Sequence, residues 1–243
     1  MTAPAELTSM LARVDAVIVD LDGTMVDTMG DFSAALGRML DELALSGIGA
    51  ATIERMVGKG SEHLLRSVLH HVLGLESTAD RDRKTQELLP RAWSSYQRHY
   101  LDINGSCSAV YPGVVQGLHA LRAAGLPLAC LTNKPLAFTL PLLQAKGLHG
   151  YFSRVFGGDS FARKKPDPLP LIGTCEALGT QPARTLMIGD STNDAQAARA
   201  AGCPVVLVTY GYNHGQPVRG IDADGFIDSL AALAGLPGQS MNP

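Results

Sequence analysis

The chain has 243 residues, of which 46% are hydrophobic and 18% charged, and its net charge is −3. This composition predicts a packed protein with one large domain, or a core domain that carries a smaller insertion. The slightly acidic balance gives no reason to propose nucleic acid or an anionic membrane as a partner, since both call for a strongly basic face.

The N-terminus and the cysteines favour a cytoplasmic protein. Residues 1–15 lack the charged start and continuous apolar stretch of a signal peptide. No apolar run reaches the roughly 20 residues that span a bilayer. The four cysteines are far apart and form no CxxC pair, which favours reduced thiols. We therefore expect no membrane partner, while the oligomeric state stays open.

Four short apolar runs predict the strands of a parallel sheet. They cover residues 16–19, 126–131, 185–188 and 204–208, and each stops at turn-forming residues. Continuous apolar strands separated by helical segments indicate a parallel sheet covered on both faces. The expected fold class is therefore α/β, with a doubly wound parallel sheet.

The segments between these runs carry helix boundary signals. Pro135 suits a first helical position and Gly147 suits the residue after the end of the same helix. Pro141 lies inside that segment and predicts a kink or a later helix start. At the C-terminus, residues 235–243 are rich in Gly, Pro, Ser and Asn, which predicts a frayed tail.

One long stretch interrupts the alternation of strands and helices. Residues 31–108 show helical periodicity only, with a third helix expected over residues 81–100. The simplest architecture is a helical cap inserted after the first strand. We expect a catalytic core of residues 1–29 and 109–243, and a cap of residues 30–108.

Reactive side chains follow three of the predicted strands. In open parallel sheets the ligand lies beyond the carboxyl ends of the strands. A single aspartate after a strand is usually a turn or helix cap, but three such strand ends make coincidence a poor explanation. The residues are Asp20, Asp22 and Thr24 after the first strand, Thr132 and Asn133 after the second, and Asp190 and Asp194 after the third.

The clustered carboxylates predict a metal site. Four negative charges in one cleft would raise several pKa values or open the site. A divalent cation removes two charges, Lys165 would remove a third, and oxygen-only ligands favour Mg²⁺. No Cys or His lies within these motifs, so zinc is not expected.

A phosphate monoester is the natural substrate of such a site. Metal and lysine screen the carboxylates, so that Asp20 can attack the phosphoryl group and form an aspartyl-phosphate. Asp22 would protonate the leaving alkoxide and later deprotonate the attacking water. Thr132 and Asn133 would donate hydrogen bonds to the phosphoryl oxygens.

These residues resemble the four motifs of the haloacid dehalogenase-like phosphatases. The resemblance implies a Rossmann-like core, a helical cap between the first two motifs, Asp20 as nucleophile and Asp22 as acid/base. It also implies Mg²⁺ ligands from the Asp20 side chain, the Asp22 carbonyl and Asp190, with Asp194 supporting the metal shell. The matching segments are Asp20-Leu21-Asp22-Gly23-Thr24-Met25-Val26-Asp27, Leu131-Thr132-Asn133, Lys165-Pro166-Asp167-Pro168 and Gly189-Asp190-Ser191-Thr192-Asn193-Asp194.

Within that family the chain is similar to bacterial phosphoglycolate phosphatases. This similarity implies a small phosphorylated metabolite, 2-phosphoglycolate, as substrate, and glycolate and phosphate as products. Related sugar-phosphate and nucleotide phosphatases share parts of the pattern. The segments are Val57-Gly58-Lys59-Gly60, Tyr111-Pro112-Gly113-Val114, Thr132-Asn133-Lys134-Pro135 and Tyr210-Gly211-Tyr212-Asn213.

The cap is expected to select the leaving group, and a substrate carboxylate would need a cation there. Lys59 is the first candidate, because its flanking glycines allow close approach of backbone and ligand. An ordinary exposed lysine between two helices is the equally weighted alternative. His63 and Arg66 follow on the next predicted helix as further candidates.

Some other functions would require other residues in these motifs. A dehalogenase or a phosphonate hydrolase of the same fold would not need Asp22, which argues against both. A phosphatase for sugar phosphates or nucleotides, and a phosphomutase, share the core motifs and stay open. A non-catalytic regulator that binds phosphorylated ligands would be expected to have lost one of Asp20, Asp22, Lys165 or Asp190, and all are present.

Overall fold

A six-stranded, entirely parallel sheet forms the centre of the computed structural model, which describes residues 4–74 and 77–235. Residues 236–243 of the predicted frayed tail lie outside the described residues. In chain order the strands are β1 (Ala16–Val19), β2 (Val26–Asp27), β3 (Ala109–Val110), β4 (Leu128–Leu131), β5 (Arg154–Phe156), β6 (Thr185–Gly189), β7 (Val205–Val208) and β8 (Gly225–Ile227).

The large sheet has the strand order β5-β4-β1-β6-β7-β8, while β2 and β3 pair with each other in antiparallel fashion. The four predicted strands are all present, as β1, β4, β6 and β7. The sequence did not predict β5, β8 or the short β2–β3 pair. Both missed strands of the large sheet lie at its edges.

Helices flank and overlie this sheet. In chain order they are α1 (Pro4–Leu11), α2 (Met29–Glu42), α3 (Ala50–Glu54), α4 (Ser61–Leu73), α5 (Thr78–Ile103), α6 (Val114–Ala123), α7 (Leu136–Ala145), α8 (Leu169–Leu178) and α9 (Thr192–Ala201). Helix α7 begins directly after Pro135 and contains Pro141, so a later helix start is wrong. One missing backbone donor is tolerated there because the buried side chains of Phe138, Leu142 and Leu143 hold the helix against its neighbours. Among the described helices, none combines the length and the apolar character that crossing a membrane requires.

Alternating side chains of the strands enter two separate cores. Val17 and Val19 of β1 pack in one cluster with residues of α1, α6 and α7, while Ile18 packs in another with residues of α8 and α9. Because successive side chains of a strand point to opposite faces, the sheet is covered on both sides. This arrangement confirms the predicted doubly wound α/β fold.

Helices α2 to α5, here called the cap helices, form a third apolar cluster. Its buried members include Leu36, Leu65 and Tyr96, and two residues from outside the segment 29–103, Phe138 and Tyr212, join it. The chain enters the cap helices after β2 and leaves them before β3, so the antiparallel pairing of these strands ties the two crossings together. The boundaries that the sequence predicts for the core and cap stay a prediction.

Candidate active site

Three neighbouring strands deliver the predicted residues to one edge of the sheet. Since β4, β1 and β6 are adjacent and parallel, their carboxyl ends bring Thr132, Asp20 and Asp190 together. The backbone N–H of Asp20 donates to the Ile188 carbonyl at 2.9 Å, which extends the β1–β6 ladder to Asp20. All three side chains are buried.

Lys165 reaches this edge from the loop before α8 and lies between two carboxylates. Its Nζ is 3.0 Å from Asp20 Oδ1 and donates to Asp194 Oδ1 at 2.7 Å and to the Leu131 carbonyl at 2.9 Å. Burial alone would lower the pKa of the Lys165 ammonium, but Asp194 and Asp20 hold it above its ordinary value. The lysine therefore stays charged beside Asp20.

The carboxylates still outnumber the cation. Carboxylate oxygens of Asp20, Asp190 and Asp194 lie within 4.8 Å of one another. Burial raises the pKa of Asp20 to about 7, with Lys165 opposing and Asp194 adding to the shift. Burial, followed by the charges of Asp194 and Asp20, raises the pKa of Asp190 well above its ordinary value. Without further positive charge, burial thus disfavours the ionised forms of Asp20 and Asp190.

The local structure fits a divalent cation at this cluster. Asp20 Oδ1 is buried, and although Lys165 Nζ lies 3.0 Å away, no group among the described residues is aligned to donate a hydrogen bond to it. Asp190 is fixed by the Tyr212 N–H, which donates to its Oδ2 at 2.7 Å. A Cβ on Gly23 or on Gly211 would lie 2.4 Å from Asp190 Oδ2, so the glycines leave room for this carboxylate. A buried, oxygen-only donor set of this kind suits a hard cation.

Asp194 supports the cluster from the first turn of α9. Its Oδ2 accepts hydrogen bonds from the backbone of Asp190 (3.2 Å) and Ser191 (3.1 Å) and from the Ser191 hydroxyl (2.8 Å). Its Oδ1 accepts from Lys165. This capping box fixes the loop that carries Asp190.

Asp22 lies in a different setting, because a second buried lysine holds it. Lys134 Nζ donates to Asp22 Oδ1 at 2.9 Å and to Oδ2 at 3.0 Å, and the Thr28 hydroxyl donates to Oδ1 at 2.9 Å. The Lys134 side chain is only 1% exposed. The motif Thr132-Asn133-Lys134-Pro135 contains this lysine, but the sequence did not predict its contact with Asp22. Its position directly after the strand-end pair Thr132–Asn133 is the one sequence signal that points to it.

Asn133 connects the core to the loop between α3 and α4. Its Nδ2 donates to the carbonyls of Lys165 at 2.8 Å and Gly58 at 2.9 Å, and its Oδ1 accepts from the Lys165 N–H at 3.0 Å. Asn193 also donates to the Gly58 carbonyl, at 3.1 Å. Two core amides therefore hold the cap loop against the strand ends. The Thr132 hydroxyl accepts a hydrogen bond from the Lys134 N–H at 3.2 Å.

Among the described residues, those that line the cavity do not include Lys59. Its side chain is exposed, and Gly58 and Gly60 line the cavity beside it. Burial first, and then the Lys59 charge, lower the pKa values of His63 and His214. Lys59 thus acts on nearby histidines, and its predicted contact with substrate stays a prediction.

A cavity between the sheet edge and the cap helices joins these groups. Ser61, Asn193, Tyr212 and His214 line it without having been predicted as site residues. The full lining is Asp20, Asp22, Phe32, Val57, Gly58, Gly60, Ser61, Leu64, Thr132, Asn133, Lys134, Lys165, Asp190, Ser191, Asn193, Asp194, Tyr212, Asn213 and His214.

Known proteins share both the sequence and the fold. Residues 14–202 match the family model of haloacid dehalogenase-like hydrolases. The chain is 44% identical over 222 residues to a phosphoglycolate phosphatase of Thiobacillus denitrificans, covering 91% of this chain and 94% of the relative. It is 47% identical over 217 residues to a phosphoglycolate phosphatase of Nitrosospira multiformis, covering 89% and 92%.

A solved structure extends this similarity to three dimensions. The crystal structure of a predicted phosphoglycolate phosphatase from Haemophilus somnus superimposes with a TM-score of 0.82 at 31% identity, covering 90% of this chain and 96% of the other. The family match spans the strands that carry Asp20, Thr132 and Asp190. The chain therefore belongs to the haloacid dehalogenase-like hydrolase family and is a phosphoric monoester hydrolase, as its four motifs predicted.

Proposed function

We propose that the protein is a Mg²⁺-dependent phosphatase that acts through an aspartyl-phosphate on Asp20 and converts 2-phosphoglycolate to glycolate and phosphate. This proposal rests on the observation that Asp20 and Asp22 are contacted by two different buried lysines. Lys165 contacts Asp20 and Lys134 contacts Asp22. Two carboxylates only two residues apart are thereby placed in different surroundings, as a nucleophile and an acid/base require.

In the first step a carboxylate oxygen of Asp20 forms a bond to phosphorus. The bond from phosphorus to the leaving oxygen breaks, its electron pair stays on that oxygen, and Asp22 delivers a proton to it. Lys165 keeps Asp20 in place, and Asp194 in turn holds Lys165 through a buried ion pair. The alcohol then leaves and the phosphoryl group stays on Asp20.

In the second step water attacks the phosphoryl group. Asp22, now ionised, takes the proton of the water, and the bond between phosphorus and Asp20 breaks to release phosphate. We propose that Asp20, Asp190 and the Asp22 backbone carbonyl hold Mg²⁺, with Asp194 in support. When bound, the cation compensates the negative charge of the carboxylates and the phosphoryl oxygens. The Thr132 hydroxyl is a proposed donor to those oxygens, and Asn133 is proposed to donate its backbone N–H, because the Lys165 and Gly58 carbonyls already accept from its side-chain amide.

Two observations support a small leaving group. The cavity has a volume of only about 40 Å³, which leaves little space for a leaving group beside the carboxylates. The two relatives most fully compared above are both named phosphoglycolate phosphatase. We therefore propose 2-phosphoglycolate, a small phosphorylated metabolite, as the substrate.

A panel of phosphate esters ranked by kcat/KM tests this proposal. It contains 2-phosphoglycolate, hexose phosphates, nucleoside monophosphates and a bisphosphorylated sugar. We expect 2-phosphoglycolate to rank among the best substrates. A preference for sugar phosphates or nucleotides would contradict the substrate, and an isomerised product without free phosphate would indicate a phosphomutase. Absence of Mg²⁺-dependent turnover on every ester, including a generic aryl phosphate, would favour a phosphoryl-binding regulator.

A further inference from the structure

Lys134 is a buried cation outside the cluster of Asp20, Asp190 and Asp194. Its side chain is 1% exposed, and both oxygens of Asp22 accept hydrogen bonds from it. Burying an ammonium group costs several kcal/mol unless it is paired and hydrogen-bonded. The pairing with Asp22 supplies that compensation, so the two side chains fix each other's position.

Cap helices supply the other contacts of this ammonium group. Lys134 Nζ lies 4.6 Å from the ring centroid of Phe32 in α2 and 4.8 Å from that of Tyr100 in α5. Both distances fall within the range of attractive cation–π contacts. Tyr100 also packs on Phe138 of α7, with ring centroids 4.8 Å apart. A rotation of the cap helices away from the sheet would therefore move both aromatic rings away from the Lys134 ammonium group.

The second partner of Asp22 also lies where core and cap meet. Thr28 precedes α2 directly, at the first crossing of the chain into the cap helices. Its hydroxyl donates to Asp22 Oδ1 at 2.9 Å, and its N–H donates to the Tyr212 hydroxyl at 2.6 Å. Among the described residues, the side-chain hydrogen bonds to Asp22 thus come from Lys134 and Thr28.

We propose that Lys134 is a positioning residue that aims the Asp22 carboxyl group at the leaving oxygen when the cap helices cover the site. This inference rests on the proposed acid/base role of Asp22. In that role the proton passes from Asp22 to the leaving oxygen as the bond to phosphorus breaks and the new bond to Asp20 forms. Lys134 itself transfers no proton and acts through the carboxyl group that it holds.

Phosphate esters with different leaving groups distinguish a positioning role of Lys134 from other roles. An aryl phosphate such as 4-nitrophenyl phosphate releases a weakly basic phenolate that departs without a proton, whereas an alkyl phosphate needs one. Misplacing the acid therefore slows alkyl esters selectively. Ethyl phosphate and 2-phosphoglycolate both release a basic alkoxide, but only the second carries a carboxylate. This pair separates an effect on proton delivery from an effect on carboxylate binding.

The experiment compares Lys134→Met and Asp22→Asn with the unaltered enzyme on all three esters. We expect Lys134→Met to lower the single-turnover rate of alcohol release, which does not include the second step, about 10²-fold on both alkyl esters and less than about threefold on 4-nitrophenyl phosphate, with little change in KM. Asp22→Asn is expected to show the same selectivity with a larger loss. Lys84→Met, which removes a half-exposed lysine of α5 that pairs with Glu87, is the matched control and leaves all three rates unchanged.

Two outcomes would overturn the assignment of Lys134 while the proposed function survives. A uniform loss on all three esters would indicate a structural lysine. A loss confined to 2-phosphoglycolate and expressed in KM would identify a contact with the substrate carboxylate. An inactive unaltered enzyme, or an Asp22→Asn variant without leaving-group selectivity, would contradict the proposed function and this inference together.

A second variant keeps the test valid if Lys134→Met fails to fold. Phe32→Leu retains the Lys134–Asp22 pair and removes one ring from the cap side. We expect the same selectivity for alkyl esters, smaller in size, because the ammonium group is less tightly confined. Equal effects of Phe32→Leu on alkyl and aryl esters would contradict the link between cap and acid. Circular dichroism and the thermal midpoint establish that each variant is folded.

Discussion

At each of the two ends of the cavity a buried lysine contacts an aspartate, but the other contacts of the two lysines differ. At the phosphoryl end, Lys165 contacts Asp20, Asp194 and the Leu131 carbonyl, all from the sheet edge and its loops. At the leaving-group end, Lys134 contacts Asp22 and the rings of two cap helices. The proposed nucleophile, Asp20, is thus held independently of the cap helices, whereas the proposed acid, Asp22, depends on them.

This difference separates phosphoryl transfer from leaving-group selection. A rigid sheet edge keeps the groups that every phosphate ester needs in one arrangement. The cap helices contribute residues that surround the variable part of the substrate. Variants at the phosphoryl end should therefore affect all esters alike, and variants at the other end should discriminate among them.

The largest expected effect is that of Asp20→Asn. The amide cannot act as the nucleophile, so kcat should fall at least about 10³-fold on every ester. The fold should persist, because the backbone N–H of Asp20 keeps its bond to Ile188. Steady-state rates and the thermal midpoint check this, with the exposed Asp102→Asn as a matched control. Appreciable turnover by Asp20→Asn would remove Asp20 from the nucleophile's role.

Lys165→Met should lower both activity and stability. It leaves Asp20 and Asp194 buried without their shared cation, and breaking a buried pair costs about 3–5 kcal/mol of the free energy of unfolding. Denaturant unfolding in the presence of a chelator measures this term without compensation by bound metal. The rates should fall by a similar factor on aryl and alkyl esters. A selective loss on alkyl esters would contradict the contrast with Lys134.

Gly23→Ala should weaken metal binding at the phosphoryl end. Gly23 has a φ of +82°, and an added Cβ would lie 2.4 Å from Asp190 Oδ2. After chelation, turnover should stop and return with added Mg²⁺, and the variant should need at least about tenfold more Mg²⁺. Gly37→Ala, in α2 with open space around its Cβ position, is the control and should behave like the unaltered enzyme. Undiminished turnover after chelation would contradict the metal assignment.

The smallest expected effect is that of Lys59→Met. Because the Lys59 side chain is exposed outside the cavity lining, kcat/KM for 2-phosphoglycolate should change less than about threefold. Measurements on 2-phosphoglycolate and ethyl phosphate check this. A large rise in KM on 2-phosphoglycolate alone would support the carboxylate contact that the sequence predicted, and would move specificity to the cap loop.

The sequence predicted the large elements of the fold but not the edges of the sheet. Apolar runs located β1, β4, β6 and β7, each of which is buried throughout. Strands β5 and β8 have three residues each and include exposed or half-buried positions, so they carry no continuous apolar run. Such short strands are defined by the neighbour they pair with, which sequence periodicity does not report.

The two ends of the site also differ in how much of each the sequence predicted. Motifs at strand ends predicted Asp20 and Asp190, because adjacent parallel strands bring their carboxyl ends to one edge, and the loop motif Lys165-Pro166-Asp167-Pro168 predicted Lys165. The contact of Lys134 with Asp22, Phe32 and Tyr100 joins distant segments through the packing of cap on core, and no spacing pattern encodes it. For Lys59, the flanking glycines indicated that backbone and ligand can approach closely, but they could not indicate which way the side chain points.

Trapping the phosphoenzyme tests the central claim most directly. Asp22→Asn should retain attack on 4-nitrophenyl phosphate but lose the base for the second step, so the phosphorylated form should accumulate. Radiolabelled substrate, rapid acid quench and peptide mapping then locate the phosphoryl group. We predict stoichiometric label on Asp20, and none when Asp20→Asn is added. Label on another residue, or turnover without any trapped label, would contradict the mechanism.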